Sequence, residues 1–189
     1  MKSVLISIQP KWCELIASGE KTVEVRKTRP KIETPFKCYI YCTSSNVHEC
    51  LMLNENGAKL IHSINYKTAI PCGGHIGNGK VIGEFVCDAI IADKTFGHDV
   101  LFKALACMSD ADISAYCLNK EMYGWHISDL VIFEEPKELR EFRKYISFFD
   151  GESISELEES GISNIRMKKP PQSWCYVDVT DTNVGEKGR

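Results

Sequence analysis

The first forty residues switch between two hydrophobic periods. Ser3 to Ile8 is a short β-prone run. Pro10 then opens a helix, since its fixed φ and missing N–H suit the first helical position. Trp12, Leu15 and Ile16 follow at i, i+3, i+4 and mark the face that this helix buries, and Gly19 is its stop. From Lys21 to Lys27 the period drops to two: Val23 and Val25 point one way, Thr22, Glu24 and Arg26 the other. Pro30 and Pro35 bracket a loop. Phe36 to Thr43 is a second strand, in which Phe36, Cys38, Ile40 and Cys42 alternate with Lys37, Tyr39, Tyr41 and Thr43.

Ser44 to Gly79 keeps no steady period. With a turn at Asn56-Gly57 and a glycine-rich piece from Gly73 to Gly79, it reads as a long insertion carrying at most one short helix. Val81 to Ile91 returns to strand, and a helix covers Val100 to Cys107. Ser109 and Asp112 give an S-x-x-D capping pattern for a helix ending near Leu118. Gly124 to Phe133 is a strand, Pro136 opens a short helix through Leu139 and Phe142, and Ser153 with Glu156 caps another helix that ends at Gly161. Ser173 to Asp178 is the last strand, before a polar C-terminal tail. About six strands with helices between them, and no regular βαβ alternation, point to an α+β fold. The expected architecture is one domain over residues 1–178, a mostly antiparallel β-barrel with flanking helices, with an insertion at about 44–79 and a tail at 179–189.

Composition narrows the function classes. The chain has 189 residues, 43% apolar and 26% charged, which suits a globular protein able to bury its own core. A net charge of -3 supplies no global positive field for nucleic acid. Any such contact has to be local, and cations do cluster: Lys21, Arg26, Lys27, Arg29 and Lys31 share one short stretch. The start shows no leader pattern and no apolar stretch reaches membrane-spanning length. The nine cysteines are therefore expected to be reduced thiols in a cytoplasmic protein, with Cys38, Cys87 and Cys117 as small core residues.

The most informative stretch is Gly19-Glu20-Lys21-Thr22-Val23-Glu24-Val25-Arg26. A glycine lets the chain reverse after a helix. A lysine sits at the turn, and a glutamate and an arginine project from one strand face two residues apart. The cations can hold a phosphate or carboxylate, arginine bidentately, and the glutamate can accept from a base edge or orient the cations. On periodicity alone, the same K-x-x-E-x-R is equally a solvated strand face with an ion pair of small worth.

Gly19, Lys21, Glu24 and Arg26 match G-x-K-x-x-E-x-R, and here the sequence resembles the ASCH domain family. Ser7-Ile8-Gln9-Pro10, Val81 to Phe85, Tyr123 to Ile127 and Pro170 to Tyr176 are similar to further strand motifs of small bacterial and prophage members. The resemblance implies a PUA-like barrel whose cleft, between helix and barrel, is lined by the signature. Relatives in that superfamily bind RNA or modified bases. One group is similar to an amidohydrolase of N4-acetylcytidine that works through a lysine, a threonine and a glutamate. Lys21 matches the lysine, Glu24 stands at the threonine position, and the remote glutamate has no match.

Three readings follow. In the first, the chain binds RNA or a modified nucleoside or nucleotide: Lys21 and Arg26 hold phosphate or polar base edges, Glu24 orients the ligand, and Tyr41 or Trp125 stacks. In the second, it is a small amidohydrolase acting on acylated nucleosides, with Lys21 as general base or oxyanion partner and Glu24 as acid-base group. In the third, it is a phage-type protein-interaction adaptor using the insertion. For Trp125 and His126 the competing reading is core packing. Tyr39 and Tyr41 share a face with Lys37 as a stacking platform or as a covered exterior. Cys42, His48, Cys50, Cys72 and His75 gather near the insertion, but only Cys72 and His75 have ligand spacing, so no metal and no cofactor are expected. Gly77-Asn78-Gly79-Lys80 precedes a strand and reads as a turn, not a phosphate loop.

Overall fold

The computed structural model describes residues 2–44, 46–69, 73–94, 99–117, 120–145 and 166–178. The chain begins with β1 (Lys2–Ile8) and α1 (Pro10–Ala17). Pro10 takes the first helical position as expected, and Gly19, one residue past the C-cap Ser18, reverses the chain at φ +80°. The buried face of α1 is Pro10, Cys13 and Ile16, one position away from the expected Trp12, Leu15 and Ile16. That rotation leaves Trp12 half-buried at the edge of the core.

After α1 come β2 (Val23–Arg26) and β3 (Phe36–Cys42). The expected insertion contains regular structure. Its strands β4 (Glu49–Asn54), β5 (Gly57–His62) and β6 (His75–Ile76) form a three-stranded antiparallel sheet. Among its described residues there is a turn but no helix. Glu55 and Asn56 make the hairpin loop, because Asn54 pairs with Gly57. This sheet lies on α1, where Glu14 Oε1 accepts from Leu60 N at 2.8 Å, and its Leu51 and Leu53 belong to the main core.

The two long strands expected next are each broken. Val81 to Ile91 divides at Asp88-Ala89 into β7 (Val81–Cys87) and β8 (Ile90–Asp93). The helices α2 (Val100–Leu105) and α3 (Asp110–Cys117) follow, the second opened by reciprocal bonds between Ser109 and Asp112. The Gly124 to Phe133 run divides at Ile127 into β9 (Met122–His126) and β10 (Ser128–Lys137). At both breaks the chain leaves one sheet for another, so each strand has different partners on its two sides. Pro136 opens no helix. It lies in β10, the edge strand of its sheet, at a register shift where no ladder donor is needed. A 3₁₀ turn at Leu139–Glu141, β11 (Arg143–Lys144) and β12 (Trp174–Asp178) complete the described chain. The helix expected from Ser153 to Gly161 and the tail at 179–189 fall outside the described residues.

The α+β class holds, and the strands are mostly antiparallel, β1 against β3 being the parallel pair. The sheets do not close into a barrel. They form a six-stranded sheet in the order β10-β7-β3-β1-β12-β11 and two three-stranded ones, β2-β9-β8 and β5-β4-β6. The main core joins them: Val4, Ile6 and Ile8 of β1, Ile40 of β3, Ile16 of α1 and Trp125 of β9 are all nearly or fully excluded from solvent. No helix among the described residues is long and apolar enough to cross a membrane.

Candidate functional site

Strand β2 places the signature in a wall, not on a surface. All four of its residues are buried. Val23 and Val25 pack in a cluster with Phe102 of α2 and Ile113 and Cys117 of α3. Glu24 and Arg26 therefore sit on the opposite side, toward the ends of β1 and β3, and are 5% and 7% exposed, with Lys21 at 2%. The solvated-face reading does not hold, because both faces of the strand are covered.

The three charges form one linked group. Arg26 Nη2 lies 2.9 Å from Glu24 Oε1 and donates to Ser7 O at 2.6 Å. Lys21 Nζ lies 3.5 Å from Glu24 Oε2 and donates to Ala106 O at 2.6 Å. Burial lowers the Lys21 pKa below its ordinary 10.5, while the neighbouring Glu24 carboxylate opposes that shift. Two cations share one carboxylate, so by formal charge the group has one positive charge in excess, largely shielded from water. Among the described residues, nothing accepts a hydrogen bond from the buried Arg26 Nε.

These side chains line a cleft of about 1020 Å³, at the upper end of small-ligand pockets. Its walls come from the ends of β1 and β3, from α1, from α3 and from the segment leading into β12. Ser7 pins that last segment: its Oγ donates to Pro171 O at 2.7 Å and its N to Ser173 O at 2.8 Å. The charged lining is Lys11, Lys21, Arg26 and Lys27 against Glu24 and Asp112, four cations to two carboxylates. Lys11 bridges the mouth to Asp112 at 3.3 Å.

Of the residues singled out in the sequence, Lys21, Glu24, Arg26 and Tyr41 all line this cleft. Trp125 does not. It is fully buried, edge-on to Phe36 at 5.8 Å and tilted against Trp174 at the same distance, with no ring face free for a ligand. In the β2–β9 ladder it pairs with Glu24, so the two side chains share one sheet face, and Trp125 is covered there by the packing of the main core. His126 faces solvent away from the cleft and holds Asp88 through Nδ1 at 2.6 Å. Tyr39 is buried against Phe142, so Tyr39 and Tyr41 form no open stacking platform.

The aromatic groups that do reach the cleft are Trp12, Tyr41 and Tyr116. Lys21 Nζ is 4.9 Å from the Trp12 ring centroid, and Lys27 Nζ is 4.9 Å from that of Tyr116. Sequence reasoning placed Trp12 in the core. The available signal was its position two residues after Pro10 and just before the signature, which puts it across the cleft from the strand.

Cys42 and Cys50 are buried in the core, His48 and His75 are exposed, and Cys72 falls outside the described residues. Among the described residues no three His, Cys, Asp or Glu side chains gather as metal ligands would. Asn78 anchors its turn to β4, accepting from Leu51 N at 2.8 Å and donating to Glu49 O at 2.7 Å.

Residues 6–96 match the ASCH domain family model. The fold is similar to that of an ASCH protein from Zymomonas mobilis, at 19% identity and a TM-score of 0.50, over 92% of this chain and 86% of that one. A point mutant of the Zymomonas mobilis protein gives 19% identity and a TM-score of 0.51, over 93% and 90%. At this identity the likeness speaks for the fold alone. No curated protein matches the chain significantly. The matched segment runs from the end of the first strand through the first helix and the whole charged signature, and over that segment the chain is similar to the ASCH domain family.

Proposed function

We propose that the cleft binds a nucleotide or a segment of RNA. The observation that carries this reading is the buried Lys21–Glu24–Arg26 group, one positive charge in excess, set in the wall of a large cleft. A buried net charge is costly unless something pairs with it, and a phosphate supplies the missing partner with strong charge-assisted bonds. Lys27 adds positive charge to the lining, where Lys11 is already paired with Asp112. Trp12, half-buried in the lining, offers ring surface for a base, which phosphate or a simple carboxylate does not need, whereas Tyr41 is 5% exposed and offers little. Glu24 fixes the direction of both cations.

A second reading, hydrolysis of an acylated nucleoside, has one observation in its favour: burial lowers the Lys21 pKa, as a lysine base requires. Against it, Lys21 Nζ already donates to Ala106 O and is paired with Glu24, contacts that hold the ammonium form. The test is a thermal-shift screen of the full chain with nucleotides, acylated nucleosides and short single-stranded RNAs, followed by product analysis. A ligand that binds only the folded state raises the melting temperature. Shifts with nucleotides or RNA and no turnover support binding; turnover of an acylated nucleoside supports the hydrolase; no shift with any of them counts against both.

A further inference from the structure

The loop that follows β2 leaves the cleft at Lys27 and Thr28, both of which line it. It then runs along the half-buried aromatic residues of β12. Trp174 Nε1 donates to Thr28 Oγ1 at 3.0 Å, and Lys31 N donates to Tyr176 Oη at 2.7 Å. The Trp174 and Tyr176 ring centroids are 5.4 Å apart. Beyond them, Lys2 Nζ stands 3.9 Å from the Tyr176 ring centroid and 4.7 Å from that of Tyr145. Arg29 and Lys31 are exposed. Lys2 and Lys31 thus flank an aromatic ridge that starts from the cleft at Lys27, against the acids Glu33 and Asp178, the latter opposite Lys2 in the strand ladder, while Arg29 lies 5.8 Å from the Tyr123 ring centroid.

We propose that this ridge, from Lys27 past Trp174 and Tyr176 to Lys31 and Lys2, is a track for a single-stranded polynucleotide leaving the cleft. The proposal rests on the reading of the cleft as a nucleotide site and adds that the ligand is longer than one nucleotide. Alternating cations and half-exposed rings suit a chain that alternates phosphates and bases, since every base has a face to stack. An acidic peptide would use the cations and leave Trp174 and Tyr176 without a role. Because the whole protein is net negative, attraction for a polyanion has to be local.

The experiment is fluorescence anisotropy with labelled decauridylate, competed by uridine monophosphate, on the full chain and on a Lys2→Ala/Lys31→Ala variant whose melting temperature is checked. Both lysines lie outside the cleft. The track predicts decamer binding at least about tenfold tighter than the mononucleotide. The variant loses that gain, keeps its mononucleotide affinity, and has a slope of log K against log salt shallower by about 1.4, at roughly 0.7 for each of two lost phosphate contacts. Equal wild-type affinity for both ligands, or an unchanged variant, overturns the track. Displacement of the decamer by decaglutamate at equal concentration overturns it in favour of an acidic-peptide surface. Mononucleotide binding that survives Lys21→Met counts against the cleft reading, whereas a decamer gain that still depends on Lys2 and Lys31 supports the track.

Discussion

Glu24 stands between Arg26 and Lys21, with Oε1 2.9 Å from Arg26 Nη2 and Oε2 3.5 Å from Lys21 Nζ. One carboxylate therefore neutralises part of two buried cations. Removing it leaves both facing each other without a counter-charge, so Glu24→Gln is expected to destabilise the fold by about 3–5 kcal/mol. Lys21→Met leaves a one-to-one pair of Glu24 with Arg26 and is expected to cost clearly less. Urea unfolding of both variants checks the order; equal costs would mean that the carboxylate is not the common counter-ion.

Trp125 separates stability from binding. Its side chain is fully buried, so Trp125→Ala should cost about 3–5 kcal/mol. Trp125→Phe keeps an aromatic core residue and should leave ligand affinity unchanged within about twofold, since the ring is outside the cleft lining. Loss of binding in a stable Trp125→Phe protein would contradict the placement.

Gly124 is where β9 lets α2 come close. A Cβ there would stand 2.7 Å from both Phe102 Cε2 and Val23 Cγ1. Gly124→Ala is expected to cost about 1–3 kcal/mol through overpacking, and to push α2 away from the back of the signature strand. A denaturation midpoint equal to that of wild type would show that Phe102 swings aside freely.

Alkaline pH should weaken the protein through its buried thiols. Burial pushes the Cys87 pKa from 9.0 up to about 12. Between those values the unfolded chain loses this proton while the folded chain keeps it, so stability falls as pH rises through that window. Cys13 and Cys38 are raised by burial in the same direction. The melting temperature should drop from pH 9 upward, less steeply in Cys87→Val. An identical slope would mean that the Cys87 thiol titrates normally in the fold.

Much of the first half of the site was legible because it depends on local rules. Pro10, Gly19 and the Val23/Val25 alternation fix a helix, a reversal and a strand without reference to anything distant. What alternation does not reveal is whether the polar face of a strand meets water. For Glu24 and Arg26 the alternation left a solvated face and a cleft lining equally open, and both are buried. The same limit explains Trp125, whose neighbours are set by sheet packing. The sheet over α1 was hidden for another reason. Cys50, Leu51 and Leu53 are buried on both faces of β4, which removes the period-two signal. The breaks at Asp88-Ala89 and Ile127 mark changes of sheet partner, a long-range property that no local pattern carries.

The central claim is that the Lys21–Glu24–Arg26 group holds an anionic nucleotide. Isothermal titration of uridine monophosphate into wild type and into Lys21→Met, with both proteins shown to be folded, tests it most directly. Removing one charge-assisted contact, worth about 1.5–3 kcal/mol, predicts roughly 10- to 100-fold weaker binding in the variant. Equal affinity in the two proteins, or no heat with wild type at millimolar nucleotide, would contradict it.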